Sequence, residues 1–220
     1  MKYARLMAEE KREIKRKPHR SVEELSEIYS ILDEGIVAHV GFVDPASDEP
    51  VVIPVAYGRD GYRILLHGST GSRMFMALKS GAQICVTVTL LDGIVSARSP
   101  FHSSMNYRSV MAFGTPKVLE GDAKEKALYA VSERLIPGLW DAGRAQTKKE
   151  FAQTMVIELK LDDVTAKKRT GEALDDEADI QLPIWAGYIP IKSQYGEPIT
   201  NANAKHLPVP DYIKKLLDGK

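Results

Sequence analysis

The sequence predicts a mainly β protein of the α+β class: an antiparallel sheet with helices at its periphery. Three observations predict it. The apolar, β-branched runs 36 to 43, 51 to 58 and 62 to 68 are parted only by DPASDEP (44 to 50) and by Asp60-Gly61, connections too short for a crossover helix. Stretches with helical character fall between groups of strands rather than after each one, which disfavours a parallel βαβ sheet. Finally, 220 residues with 44% apolar content suit one sizeable domain able to bury its own core.

Along the chain, residues 1–20 form a basic leader with eight Lys or Arg and three Glu. Glu9, Glu10 and Glu13 interleave with the bases and no aromatic is placed to stack on a nucleobase, so the leader reads as a solvated, partly helical segment. The main domain is expected over 21–200. Ser21-Val-Glu-Glu24 fits a capping box that opens a helix over 22 to 33, ended by Gly35. IVAHVGFV (36 to 43), VVIPVAYG (51 to 58) and YRILLHG (62 to 68) read as a three-stranded meander. Residues 72 to 79 make a short helix with Ser80-Gly81 as its stop. QICVTVTLLDGIVSA (83 to 97) is strand-like, interrupted at Asp92-Gly93, and YRSVMAFGTPKVLE (107 to 120) is a further extended segment with a bulge at Gly114. Asp122-Ala-Lys-Glu125 signals a helix to about 134, Thr147-Lys-Lys-Glu150 a brief third one, and 155 to 169 a last long strand. Five acidic residues between Glu172 and Asp179 mark a surface loop. The tail, 201–220 with the residues just before it, is too rich in proline for regular structure and too aromatic to float free.

Composition excludes several classes. Thirty Lys plus Arg balance thirty Asp plus Glu, so no global field draws the chain to nucleic acid or anionic lipid. No apolar run approaches a membrane span and the N-terminus lacks the apolar stretch of a secretory signal. One cysteine, Cys85, forms no intramolecular disulfide and no thiolate-rich metal site, which points to a reducing, cytoplasmic setting. His19, His102 and His206 are too scattered for a metal triad, and His39, within an apolar strand, reads as a core or interface residue. No nucleophile elbow or His-Glu-x-x-His helix is present.

Two segments concentrate polar chemistry. In LLHGSTGSRM (65 to 74) a strand end meets two glycines, three hydroxyls and an arginine as a helix begins. Gly68 and Gly71 allow a close backbone approach, Ser69, Thr70 and Ser72 offer hydroxyls, and Arg73 a charge-assisted contact, so the segment suits a phosphate. SPFHSSMNYRSV (99 to 110) reads as a loop leading into a strand, with Arg108 and Ser109 as a second cation and hydroxyl.

HGSTGSRM, CVTVTLLDG, HSSMNYRSVMAFG and WAGYIP together resemble the flavin-nucleotide-binding branch of the pyridoxamine 5′-phosphate oxidase-like split barrels, close to nitroimidazole-resistance proteins. The resemblance spans about residues 18 to 198 and is most specific over 65 to 74 and 99 to 114. It implies a six-stranded antiparallel split β-barrel with peripheral helices, homodimeric, with FMN at the subunit boundary. Carried over by position, it makes Gly68, Ser69, Thr70, Ser72 and Arg73 the phosphate-binding turn. Tyr107, Arg108 and Ser109 follow at a second phosphate and ring-facing segment. It implies that Pro54, Val55, His67 and Thr87 border the isoalloxazine and that Trp185 reaches the flavin edge from the neighbouring subunit. His67 would then be the catalytic residue, a donor to the ring or the substrate. The tail, KHLPVPDYIKKLL, lacks the arginine that helps the name-giving oxidase hold pyridoxal phosphate, so oxidation of pyridoxamine phosphate is not expected. The expected activity is an FMN-dependent oxidoreductase reducing a small electrophile such as a nitro compound, with NAD(P)H as candidate donor. A non-catalytic flavin store or sensor, and a split barrel that takes haem or a deazaflavin instead, are the alternatives.

Overall fold

The computed structural model describes residues 12–218. Expectations for residues 1–11 and for the last two residues lie outside the described residues. A 3-10 turn at Pro18–Arg20 precedes α1 (Leu25–Glu34), then β1 (Val37–Val43), β2 (Pro50–Asp60), β3 (Arg63–Ser69), α2 (Arg73–Lys79), β4 (Ile84–Ser96), β5 (Ser104–Gly114) and β6 (Lys117–Leu119). α3 (Gly121–Leu135), α4 (Leu139–Ala142) and α5 (Lys148–Gln153) follow, then β7 (Thr154–Lys160), β8 (Asp163–Arg169), β9 (Gly187–Pro190) and α6 (Asp211–Asp218).

The strands pair in the order β6-β7-β3-β2-β1-β4-β5-β8, every registered pair antiparallel, with β9 added beside β4. This is the expected split-barrel class with eight strands along the path instead of six. β2 is its corner: Pro50–Ala56 pair with β1, whereas Tyr57–Asp60 pair with β3. The ladder to β3 begins only at Tyr57↔Leu66, so the first half of β2 and the end of β3, His67 to Ser69, separate there.

Alternation sets the core. Ala38 and Val40 of β1, Val86 and Val88 of β4, and Val110 and Ala112 of β5 point inward and are buried. α1 closes one side of this interior with Ile28, Ile31 and Leu32, and α2 contributes Met74, Phe75 and Leu78. On the opposite face of β3 and β7, Leu65 and Val156 form a second cluster with Ala127, Leu128 and Val131 of α3. Both faces of β7 are therefore covered, which is why Met155, Val156 and Ile157 are consecutive apolar residues rather than an alternating set. Gly58 is needed at this junction, because a Cβ there would stand 2.9 Å from the Val131 side chain.

Several expected boundaries shift. Ser21 does not cap α1: it bridges to Lys167 of β8, and the Val22 amide donates to Ala166, because burying Val22 against the sheet outweighs an earlier helix start. α3 opens at Glu120–Gly121, with no side-chain cap from Asp122. The capping box at Thr147 and Glu150 does form. Residues 155 to 169 are two strands, not one, since a turn at Leu161-Asp162 carries the chain from β3's side of the barrel to β5's. Asp92-Gly93 does not end a strand; β4 runs through it with a register shift. The expected bulge at Gly114 is a break, with Pro116 between β5 and β6. The proline-rich tail carries a short strand and a helix after all: β9 finds its partner in β4, an edge that local propensity does not reveal.

Candidate functional site

The outer face of the sheet and a cavity beneath α3 gather the side chains that the sequence singled out. One register row crosses the sheet as Pro54↔His39↔Thr87↔Met111↔Thr165. These residues alternate with the buried inward set, so Pro54, Thr87 and Met111 face outward. His39 is exposed on the same face, so it is not a core residue. Val55, one step from Pro54, turns toward the barrel interior.

Tyr107, Arg108 and Ser109 lie within β5, as their extended segment predicts, and the strand begins earlier, at Ser104. Alternation then divides them. Tyr107 and Ser109 take the outer face with Met111. Arg108 takes the other and is fixed there by two carboxylates: Nη2 donates to Glu34 Oε1 at 2.8 Å and to Asp92 Oδ1 at 2.7 Å, and Nε to Asp92 Oδ2 at 3.0 Å. The Arg108 hydrogen bond holds the Glu34 carboxyl below its ordinary range.

Arg73 stands at the opposite end of β1. Its Nε donates to Asp44 and its Nη2 to Ser47 Oγ at 3.0 Å. Asp44 is buried, its carboxyl lowered by the Ala46 amide and by Arg73, while the Arg73 side chain remains 62% exposed. Glu34 precedes β1 and Asp44 follows it, so the seven-residue strand, about 20 Å of rise, separates the two guanidiniums within one chain. The turn before Arg73 spends its amides internally: Thr70 N–H on Gln153 O, Gly71 N–H on Ser69 Oγ and Ser72 N–H on Ser69 O. Its exposed hydroxyls and Arg73 are what it offers a ligand. Packing alone requires Gly68, since a Cβ there would stand 2.3 Å from the Phe75 ring.

His67 is directed into a different space. It shares the face of β3 with Leu65, under α3, and lines a cavity of about 1170 Å³ closed by α3, α4 and α5. The walls include Leu128, Val131, Leu135, Trp140 and Phe151, with Arg144 and Lys148 also on the lining. His67 Nδ1 is buried without a hydrogen-bond partner, and burial pushes the imidazole's pKa down, favouring its neutral form. Two devices shape the cavity. Buried Lys124 donates from Nζ to Phe151 O at 2.5 Å and lies 4.1 Å from the Phe151 ring centroid, tying α3 to α5. Arg144 donates to Glu150 Oε2 at 2.9 Å, and that guanidinium, with Thr147, holds the Glu150 carboxyl down to about 2. No sequence motif marked this cavity. Its walls come from segments far apart in the chain, and the one local signal was the apolar spacing of Ala127, Leu128, Val131 and Leu135.

Trp185 is 64% exposed on the segment entering β9 and is not on the lining of the His67 cavity. Among the described residues, no group of three or more His, Cys, Asp or Glu is placed to hold a metal ion, and no helix is long and apolar enough to cross a membrane.

Residues 24–168 match the family model described as pyridoxamine 5′-phosphate oxidase. No curated protein matches. Among solved structures, the FAD and heme binding protein from Mycobacterium smegmatis superimposes with a TM-score of 0.86 at 38% identity, covering 90% of this chain and 97% of its own. The flavocytochrome Anf3 from Azotobacter vinelandii gives the same TM-score and identity, covering 92% and 94%. A putative 5-nitroimidazole antibiotic resistance protein from Bacteroides thetaiotaomicron is similar in fold, with a TM-score of 0.57 at 20% identity over 67% of this chain and 85% of its own.

Proposed function

Since the chain belongs to the pyridoxamine 5′-phosphate oxidase family, we propose that it is a flavin-binding oxidoreductase that also seats a haem in the cavity beneath α3. The observation that carries this reading is His67: an imidazole kept neutral by burial on the lining of a cavity of about 1170 Å³, larger than the roughly 300–1,000 Å³ of ordinary small-ligand pockets. Likeness at 38% identity to a protein named for FAD and heme, and to a flavocytochrome, supports it.

The residues fit such a group. Leu128, Val131, Leu135, Trp140 and Phe151 offer a large apolar ring a dry bed. His67 is kept neutral by burial, the form in which an imidazole nitrogen ligates a metal. Lys148 on the lining is a cation suited to a ligand's carboxylate, whereas Arg144 is already paired with Glu150. A flavin and a haem together supply coupled two-electron and one-electron chemistry, which the polypeptide tunes by position and charge.

We place the flavin on the outer face, where Thr87, Tyr107 and Ser109 provide hydroxyls and Pro54 an apolar border. The Ser69–Arg73 turn is its proposed phosphate contact. Exposed apolar residues on and around this face, among them Val37, Val52 and Met111, support a homodimer with the cofactor at the boundary and Trp185 arriving from a second copy. The resemblance implied FMN, whereas the similar protein from M. smegmatis is named for FAD, which favours the dinucleotide. A small electrophile, such as a nitro compound, is the proposed acceptor, with NAD(P)H as donor. The nitroimidazole-resistance structure supports the fold and not this substrate.

Denaturing protein purified without added cofactor, and identifying what is released, tests the reading. It expects a flavin and a haem, and it expects His67→Ala to keep the flavin while losing the Soret absorption. A colourless protein, or a His67→Ala variant with an unchanged Soret band, overturns it.

A further inference from the structure

Residues 12 to 20 run beside the sheet as a strap. The Arg16 carbonyl accepts from Lys167 Nζ at 3.0 Å, and the Arg12 Nε donates to Asp163 Oδ2 at 2.8 Å. Between this strap and the outer face of β5 and β8 is a cleft of about 460 Å³, within the roughly 300–1,000 Å³ of small-ligand pockets. Arg12, Lys15, Phe113, Thr165 and Lys167 line it.

Strand register makes this edge of the sheet cationic. On the outer face, β8 sets Lys167 opposite Ser109 and Arg169 opposite Tyr107, two cations about 7 Å apart along the strand, each facing a hydroxyl-bearing residue. Carboxylates do not neutralise them: among the described residues, Lys15, Arg20, Lys167 and Arg169 form no ion pair. Arg169 is 7% exposed, yet its partners are neutral oxygens, Asn106 Oδ1 and Glu172 O. Burial, and then the nearby charge of Arg20, pulls its pKa down. An anion at this edge relieves that repulsion. Arg12 is balanced by Asp163, but its guanidinium lies 4.1 Å from the Phe113 ring centroid and its side chain is 55% exposed, which leaves a braced planar face for a purine to stack on. Glu13, the acidic side chain on the lining, opposes a bare phosphate and accepts from a ribose hydroxyl or an exocyclic amine.

The cleft is separate from the proposed flavin phosphate contact. Arg73 meets Asp44 past the end of β1, and β1 and β8 are three strand spacings apart, about 14 Å, so the Arg73 turn and the cleft hold different anions. The cleft nevertheless adjoins the flavin face. Ser109, proposed above as a flavin contact, is also on its lining, and Thr165 shares the row of Met111 and Thr87, two spacings or about 10 Å from Thr87. A dinucleotide donor with its adenosine in the cleft has the length to bring its nicotinamide across that distance.

We propose that the cleft between residues 12 to 16 and the β5–β8 face binds the adenosine end of NADPH, with the ribose 2′-phosphate on Lys15 and Lys167, so that the chain selects NADPH over NADH. The proposal rests on the flavin reading above and names the donor for that site.

Calorimetric titration of the purified full-length holoprotein with NADP+, NAD+ and coenzyme A tests it, since none of the three reduces a flavin. NADP+ binds at least about tenfold more tightly than NAD+, the size of one charge-assisted phosphate contact. It also binds more tightly than coenzyme A, which carries its ribose phosphate on the 3′ oxygen. The Lys15→Ala/Lys167→Ala variant brings NADP+ to the NAD+ value. Because Lys167 also holds the strap, Lys15→Glu alone is the second variant, and it weakens NADP+ more than NAD+. Equal wild-type affinities, coenzyme A as tight as NADP+, or variants that weaken both nicotinamide dinucleotides alike overturn the proposal. So does the absence of binding, and each of these results leaves the flavin reading to the released-cofactor test above. If that test releases no flavin while NADP+ binds selectively, the flavin reading falls and the cleft stands as a site for the phosphorylated dinucleotide.

Discussion

Single residues in this chain are set by the face they occupy more than by their chemistry. Gly68 sits in a motif that suggests ligand contact, yet the space of its missing Cβ is taken by Phe75. Gly68→Ala is therefore expected to overpack the barrel and lower stability by about 1–3 kcal/mol, read as a fall in the urea midpoint at unchanged m-value. His67 illustrates the reverse case, a group whose burial is not repaid by a hydrogen bond. Its folded pKa lies below the ordinary 6.5, so on acidification the unfolded chain takes up the proton first. Stability is full above that value and declines as pH falls through it, levelling once the folded imidazole also protonates. Urea unfolding between pH 7.5 and 5 should show this decline, and His67→Gln should flatten it; an unchanged slope would mean that another group titrates there.

Elements owe their boundaries to local signals only where no partner competes. Thr147 and Glu150 cap α5 as their spacing predicts, because this helix meets no strand at its start. Thr147→Ala should cost about 1 kcal/mol and, since α5 helps close the cavity, should lower the hydrogen-exchange protection of α5 and of the following strand more than that of α1. At Ser21 the same kind of signal is overridden by pairing with β8. Strand period explains the division of Tyr107, Arg108 and Ser109: once β5 is a strand from Ser104 onward, consecutive residues cannot share a face. Arg108 then braces α1 to β4 through Glu34 and Asp92 instead of standing beside Ser109.

For the whole molecule, the inward set of the barrel and the cluster under α3 hold most of the buried apolar residues, while the outer face leaves Val52 65% exposed. This is the face proposed above as the association surface. Sedimentation is expected to give twice the 24.4 kDa chain mass, and Val52→Glu to give the single-chain mass with unchanged circular dichroism, because nothing within the chain packs on that side chain as a core contact. A monomeric wild type would remove the shared-boundary placement of the cofactor.

What the amino-acid order determined alone was the antiparallel class, the three-stranded start and the short helix after the glycine-rich turn. Each follows from period, turn chemistry and capping, which act over a few residues. The tertiary structure alone decided which side of a strand met which layer. Only assembly brought helices from residues 121 to 153 over the His67 face, opened β2 from β3, folded the segment from Arg12 across β5 and β8, and found β4 for the proline-rich tail. Those outcomes depend on partners distant in the chain, whose burial no local pattern records.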